Sequence, residues 1–190
     1  MAGDGQGRLA WSTDVPAFPY RMLDKIKLLS APVWQKEDRV YTCEFTVDSP
    51  FPYALDLTEF QDDSWPATLS NWGSAPTYPV WIIEPSNTIE TLYYFTIRND
   101  TYDLEIVYDA DLPGASGVAP GDYIEINTFK NTAYLNGDGA NMKPGIDIEA
   151  SDFFPLFYGD NNIIVSAPGT FDPPTVTCVW NYAYLSLIHI

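Results

Sequence analysis

Between residues 121 and 185 the chain reads GDYIEINTFKNTAYLNG, then SDFFPLFYGDNNIIV, then VTCVWNYAYL. Tyr123, Glu125 and Asn127 alternate with Ile124 and Ile126, the period of a half-buried strand. Residues 132–135 close onto Asn136-Gly137, a tight-turn pair. Pro155 cannot continue a ladder, and Gly159-Asp160-Asn161 permits positive φ, so Phe153 and Phe154 read as an aromatic plug folded over one end of a sheet pair. Strands at 162–166 and 175–187 follow. This succession leaves no room for an active site built on helices.

The same grammar runs upstream. Tyr41, Cys43, Phe45 and Val47 alternate with Thr42, Glu44 and Thr46, predicting one half-buried strand from Arg39 onward. Pro50 and Pro52 then force a corner. Residues 67–71 predict a short strand and NWGSAP a turn. The continuous apolar run PVWII at 79–83 predicts a central strand. Residues 91–98 and 101–108 predict a hairpin linked by Asn99-Asp100. Nine to eleven short strands without an internal repeat predict an all-β fold, a two-sheet antiparallel sandwich of jelly-roll type.

The N-terminal segment reads differently. Residues 1–20 are Gly-rich and then rich in Pro and aromatics, as in an extended arm without a core of its own. Residues 21–35 fit a helical face through Met22, Ile26 and Leu29, and equally a strand end through Ile26 and Leu28. The expected organisation is an N-terminal arm or linker over 1–31 and a sandwich domain over 32–190. No apolar core of a signal peptide occurs in MAGDGQGRLAWS, and no apolar run is long enough to span a membrane.

Charge narrows the partners. The net charge is -17, which argues against neutralising nucleic-acid phosphates or anionic lipid headgroups. Residues 1–39 hold six of the nine basic groups against five acids, whereas residues 40–190 hold three basic groups against 21 acids. Arg21, Lys25 and Lys27 are therefore candidate contacts between the arm and an acidic neighbouring subunit; solvated surface charge is the plain alternative.

Chemistry for catalysis is not legible. The one histidine, His189, is next to the C-terminal residue, a poor place for a relay that must be held by a scaffold. No GxSxG, HExxH, P-loop or CxxC pattern occurs. Glu44, Glu84, Glu90, Glu105, Glu125 and Glu149 read as solvent-facing, so no catalytic residue, cofactor site or metal site is assigned. Asp109, Asp111 and Asp122, and Asp138, Asp147, Glu149 and Asp152, bracket two loops without EF-hand spacing and read as turn-capping carboxylates. Cys43 and Cys178 read as two buried free thiols, with a disulfide or metal pair as the alternative. Trp81, Tyr93, Tyr94, Tyr102 and Tyr182 lie in β-patterned runs and read as core or cross-strand packing. Trp65 and Trp72, in turns, are the candidate exposed contacts for a protein partner or a glycan.

Several of these pieces, in order, resemble the distal tail proteins of long-tailed bacteriophages, the siphovirus-type tail components. The resemblance covers about residues 32–187 and rests on APVWQKEDRVYTCEFTVDSPFPYA, NWGSAPTYPVWII, GDYIEINTF, YLNG, SDFFPLFYGDNNIIV and VTCVWNYAYL. It implies a galectin-like or galactose-binding-like sandwich, the C-terminal module that decorates a hexameric ring at the tip of the tail tube. The implied location is the tail tip of the virion, assembled in the host cytoplasm. The implied partners are the tail tube, ring-forming distal tail subunits, the hub and the receptor-binding protein, together with further copies of the chain itself in a homo-oligomer. Residues 1–31 are too short for the ring-forming domain, so the resemblance points to the second module, with the ring made by a separate chain. The expectation is a structural virion protein and not an enzyme. The alternative is a carbohydrate-binding module for host surface glycans.

Overall fold

In the computed structural model the described residues are 65–86, 90–169 and 172–183, together with the backbone of strands between residues 6 and 62. The chain divides into two compact units, one of Met1–Asp56 with Ala183–Ile190 and one of Leu57–Tyr182. The boundary expected at residues 31 and 32 falls on residues outside the described set.

In the first unit β1 (Gln6–Ser12) pairs antiparallel with β2 (Tyr20–Leu28), with a register shift between Gly7 and Leu9. β3 (Val33–Gln35) pairs with β4 (Val40–Thr42), whereas β5 (Phe45–Thr46) and β6 (Tyr53–Ala54) both pair with β2. The open choice over residues 21–35 resolves as strand at Tyr20–Leu28 and Val33–Gln35, with residues 29–32 outside the described set. The stretch read as an extended arm without a core of its own contributes β1 and β2 to a sheet. The run read as one strand from Arg39 is two, because β4 and β5 belong to different sheets.

The second unit is an antiparallel β-sandwich. Its strands are β7 (Thr58–Asp62), β8 (Ala67–Asn71), β9 (Val80–Glu84), β10 (Tyr94–Asn99), β11 (Leu104–Asp109), β12 (Ile124–Asn127), β13 (Thr132–Leu135), β14 (Gly159–Ser166) and β15 (Thr175–Trp180). One sheet has the order β11-β10-β14-β8 and the other β13-β12-β9-β15-β7. Only β10–β11 and β12–β13 are hairpins within a sheet; every other step from β7 to β15 crosses to the opposite sheet, the winding of a jelly roll. The apolar run at 79–83 becomes β9, the middle strand of its sheet, as its unbroken hydrophobicity predicts.

Alternation puts the core between the sheets. Leu69, Phe95, Ile97, Ile106, Tyr108 and Ile163 are buried from the four-stranded sheet, and Trp81, Ile83, Ile124, Ile126, Val176 and Cys178 from the five-stranded one. Each such large side chain contributes about 1.5–3 kcal/mol by leaving water. Phe95 stacks on Tyr108 with ring centroids 5.0 Å apart, and Trp81 meets Phe154 edge-on at 6.2 Å. Phe154 and Leu156 are buried, so the aromatic plug is part of the core.

The expected two-residue link at Asn99-Asp100 is instead a loop of residues 100–103. Asn99 stays in the ladder opposite Leu104, and Asp103 takes the left-handed conformation at φ 56° that closes the longer turn. Along one side of the sandwich, residues 140–152 cover both outer strands. Met142 N–H donates to Ala133 O (2.9 Å) on β13, and Asp147 and Asp152 N–H donate to Val107 and Glu105 O on β11 (3.0 and 2.7 Å). Between them Lys143–Gly145 forms a turn of 3-10 helix, with Gly145 against the ring of Tyr108.

Candidate binding face

The outer surface of β8 and β14 follows from parity. Leu69 and Asn71 on β8, and Asn161 and Ile163 on β14, point into the core. Thr68 and Ser70, and Asp160 and Asn162, therefore face outward. The register sets Thr68 across from Asn162 and Ser70 across from Asp160. Thr68 Oγ1 donates to Asn162 Oδ1 at 2.9 Å and Ser70 Oγ to Asp160 Oδ1 at 2.6 Å. Asn71 pairs with Gly159 at the end of the ladder; Trp72 follows the one and Tyr158 precedes the other in sequence. Both rings are exposed, at 56% and 66%.

Two buried asparagines hold the loops that carry these rings. Asn71 Nδ2 donates to Ala75 O (3.0 Å) and Leu156 O (2.9 Å), while its Oδ1 accepts the Gly73 N–H at 2.9 Å. Those bonds fix the turn that follows Trp72. Asn161 Nδ2 lies within hydrogen-bonding distance of Phe157 O (2.9 Å), Gly159 O (3.0 Å) and Leu69 O (3.3 Å), and its Oδ1 accepts the Phe157 N–H at 3.0 Å. Tyr158 is thus clasped from both sides in sequence. Gly159 sits at φ 89°, a conformation that an L side chain rarely adopts.

The β10–β11 turn closes the same end. Asp100 N–H donates to Asn162 O (2.8 Å) and Asn162 N–H to Thr101 Oγ1 (2.9 Å). Tyr102 packs on Phe157 with centroids 4.3 Å apart. Arg98 contacts Asp100 at 3.3 Å and Asp103 at 3.0 Å. Beside this end, Tyr78 and Phe129 meet edge-on at 5.7 Å, both exposed.

Of the residues singled out from sequence, Trp72 belongs to this face and Trp65 does not. Trp65 is half-buried ahead of β8 and so lies off the opposite end of that strand. Arg21, Lys25 and Lys27 lie on β2, either side of or within its register shift, and their side chains are outside the described set. Tyr158, Tyr102, Ser70 and Asp160 were not read as contacts. Tyr102 and Tyr93, expected as packing residues, are exposed at 41% and 59%, because the first lies in the turn and the second precedes the strand. Trp81 and Tyr182 are buried as expected.

Two of the loop carboxylates hold backbone and a third holds a side-chain amide. Asp109 Oδ1 accepts the Asp111 N–H (2.9 Å), Asp147 Oδ1 accepts the Glu149 N–H (3.0 Å), and Asp122 Oδ1 accepts from Asn136 Nδ2 (2.7 Å). Among the described residues no group of three or more His, Cys, Asp or Glu could hold a metal ion. Cys178 is a buried free thiol whose pKa burial pushes well above its ordinary range; Cys43 lies outside the described residues. Among the described residues no helix is long and apolar enough to cross a membrane.

The second unit therefore defines an antiparallel β-sandwich protein with an outward aromatic and polar face. No family model matches the chain, and no curated protein matches it. Among solved structures the fold is similar to the SPP1 Dit (gp 19.1) protein, described as a paradigm of the hub adsorption apparatus in Gram-positive infecting phages. The TM-score is 0.65 at 14% sequence identity, covering 91% of this chain and 63% of that one. The likeness is one of fold, and it spans less than two thirds of the Dit chain.

Proposed function

We propose that the protein is a structural component of a bacteriophage tail, a distal or minor tail protein that joins the tail tube to the tail tip or receptor-binding apparatus. The observation that carries this reading is the likeness of fold to SPP1 Dit over 91% of the chain. The ordered motifs independently support it, and two of them have structural roles: Asn71-x-Gly73 and Gly159-x-Asn161 hold the loops at one end of the sandwich. The reading assigns the chain to holding neighbours, without catalysis of its own.

Within this proposal the sandwich is a decorating module, and residues 1–31 make the contact to an adjacent subunit. Arg21, Lys25 and Lys27 supply positive charge to a body that is otherwise strongly acidic. Mass spectrometry and electron microscopy of purified tails test the assignment. The chain is expected in the particle at the tail tip; tails complete without it would refute the reading. Removal of residues 1–30 is expected to prevent incorporation while the sandwich stays folded, and normal incorporation would count against the arm.

A further inference from the structure

We infer that the open edge of β8 is a self-association site: two copies of the chain join their β8 strands antiparallel about a two-fold axis, with Leu69 opposite Leu69 of the second copy. Such pairing does not rest on the tail assignment.

The outer strands of the sandwich are treated unequally. β11 and β13 lie on the flank that residues 140–152 cover with backbone hydrogen bonds. β7 and β8 form the other flank. Among the described residues each pairs on one side only, β7 with β15 and β8 with β14. Every second residue of such a strand directs its N–H and C=O away from the sheet, and exposed edges are ordinarily blunted by charge, proline or a bulge. β7 reads TEFQD and carries two carboxylates. β8 reads ATLSN, with no charged residue, no proline and no register shift in its pairing. Among the described strands of the sandwich it is the outer one that is neither covered nor charged.

A second copy suits this edge. In a chain of net charge -17 most surfaces repel their like, but across β8 no like charges meet. The register centred on Leu69 matches the strand along its whole length. It sets Ala67 opposite Asn71 of the second copy and Thr68 opposite Ser70, and cross-strand pairs of Thr and Ser are favourable. Parity is kept as well. Leu69 is buried in the core of each copy, while Thr68 and Ser70 face outward in both.

The ends of β8 agree with that register. Pro66 has no N–H and stops any ladder just before the strand. Trp72 follows the strand and is 56% exposed. Counted outward from Leu69, Trp72 of one copy comes level with Pro66 of the other, which is also exposed, and the two-fold repeats this at both ends. A tryptophan covered on association is a common anchor of protein interfaces.

The contact closes on itself. A two-fold interface uses the same surface of both copies and leaves none to recruit a third. The two four-stranded sheets become one continuous sheet that ends at β11 on either side, where residues 146–152 cover it. One short strand per copy is a small area for a free-standing dimer, so the pairing is weak unless the copies are held near each other.

Sedimentation equilibrium of the full chain over a rising concentration series tests the pairing. The weight-average mass is expected to climb from one chain to two and to stop there. Thr68→Glu, which sets two carboxylates diagonally across the axis, and Trp72→Ala should each weaken the dimer about fivefold or more. Ile148→Ala, an exposed change on the covered flank, should leave it unaltered. Cross-linking reads the register. Differently tagged copies carrying Thr68→Cys and Ser70→Cys, mixed under oxidised glutathione, should form the mixed disulfide faster than either variant alone forms its own, and above the level of the unsubstituted chain. Circular dichroism of each variant separates lost pairing from lost fold. A monomer at every concentration, growth past two chains, a dimer indifferent to Thr68→Glu and Trp72→Ala, or no preference for the mixed disulfide would each overturn the proposal. Tails that lack the chain would sink the tail assignment and leave this result standing.

Discussion

Nδ2 of Asn99 donates to Oδ1 of Asn161 across 3.0 Å, joining β10 to β14 from inside the core. Asn161 has no exposed surface, and its amide also serves the backbone of Phe157, Gly159 and Leu69. One side chain therefore ties two strands and a loop together. Asn161→Ala would leave several buried polar groups unpaired, each costing about 1–3 kcal/mol. The expected loss is about 3 kcal/mol in chemical denaturation. Asn162→Ala, one position on but exposed, is expected to change stability by no more than about 0.5 kcal/mol.

Gly145 tests packing at the covered side of the sandwich. A Cβ there would stand 2.5 Å from Cζ of Tyr108, whose ring is itself stacked on Phe95. Gly145→Ala should lower stability by about 1–3 kcal/mol, measured as a fall in Tm. The loss should shrink in a Tyr108→Leu background, since the two positions share one contact.

Alkaline pH should destabilise the protein. Burial raises the pKa of Cys178 well above its ordinary 9.0, and burial likewise raises that of Tyr108 above 10.0. Each group is neutral when protonated, and the folded state keeps its proton longer than the unfolded chain. Their contribution is fully present below the unfolded pKa values and is lost as pH rises towards the folded ones. Denaturation midpoints should be insensitive to these two groups near neutrality and fall above about pH 9. Cys178→Ala should blunt the early part of that fall.

The ion pairs of Arg98 should matter little to stability. The guanidinium is 44% exposed and Asp103 88% exposed, so solvent screens both contacts. Arg98→Ala is expected to cost less than about 1 kcal/mol and to leave cooperative unfolding intact.

Much of the sandwich was legible because its strands advertise themselves. Residues 67–71 form β8 with the bounds expected, and residues 132–135 form β13. The Ile124 and Ile126 alternation gives β12, with both isoleucines buried. β7 was missed because TEFQD holds one apolar residue among polar ones, the pattern of an edge strand, whose position was set by pairing with β15. The hairpin after β10 was misjudged because Asn99 looks like a turn residue but is used as a buried strut. Asn is equally at home in both roles, and only the partner strand distinguishes them. β14 begins three residues earlier than expected for a related reason: Gly159-Asp160-Asn161 has turn chemistry, and Asn161 supplies the side-chain bonds that let those residues pair.

Trp72 was recognisable as an exposed candidate from its turn, whereas Tyr158 was hidden inside an aromatic run that reads as core. Phe154 and Leu156 do enter the core. The signal that separates Tyr158 from them is positive φ at Gly159, which turns the chain outward and resets the alternation. A glycine two residues before a buried Asn marks that reset, but its meaning depends on β8 lying opposite.

The segment 140–152 has a consequence for crowding. By occupying backbone groups of β11 and β13 it leaves that flank with few open amides for a neighbouring copy to template upon. Molecules gathered closely around a common axis could stand shoulder to shoulder there without zipping into a continuous ribbon. Cohesion on that flank would have to come from side chains, which can be specific and reversible where strand fusion is neither.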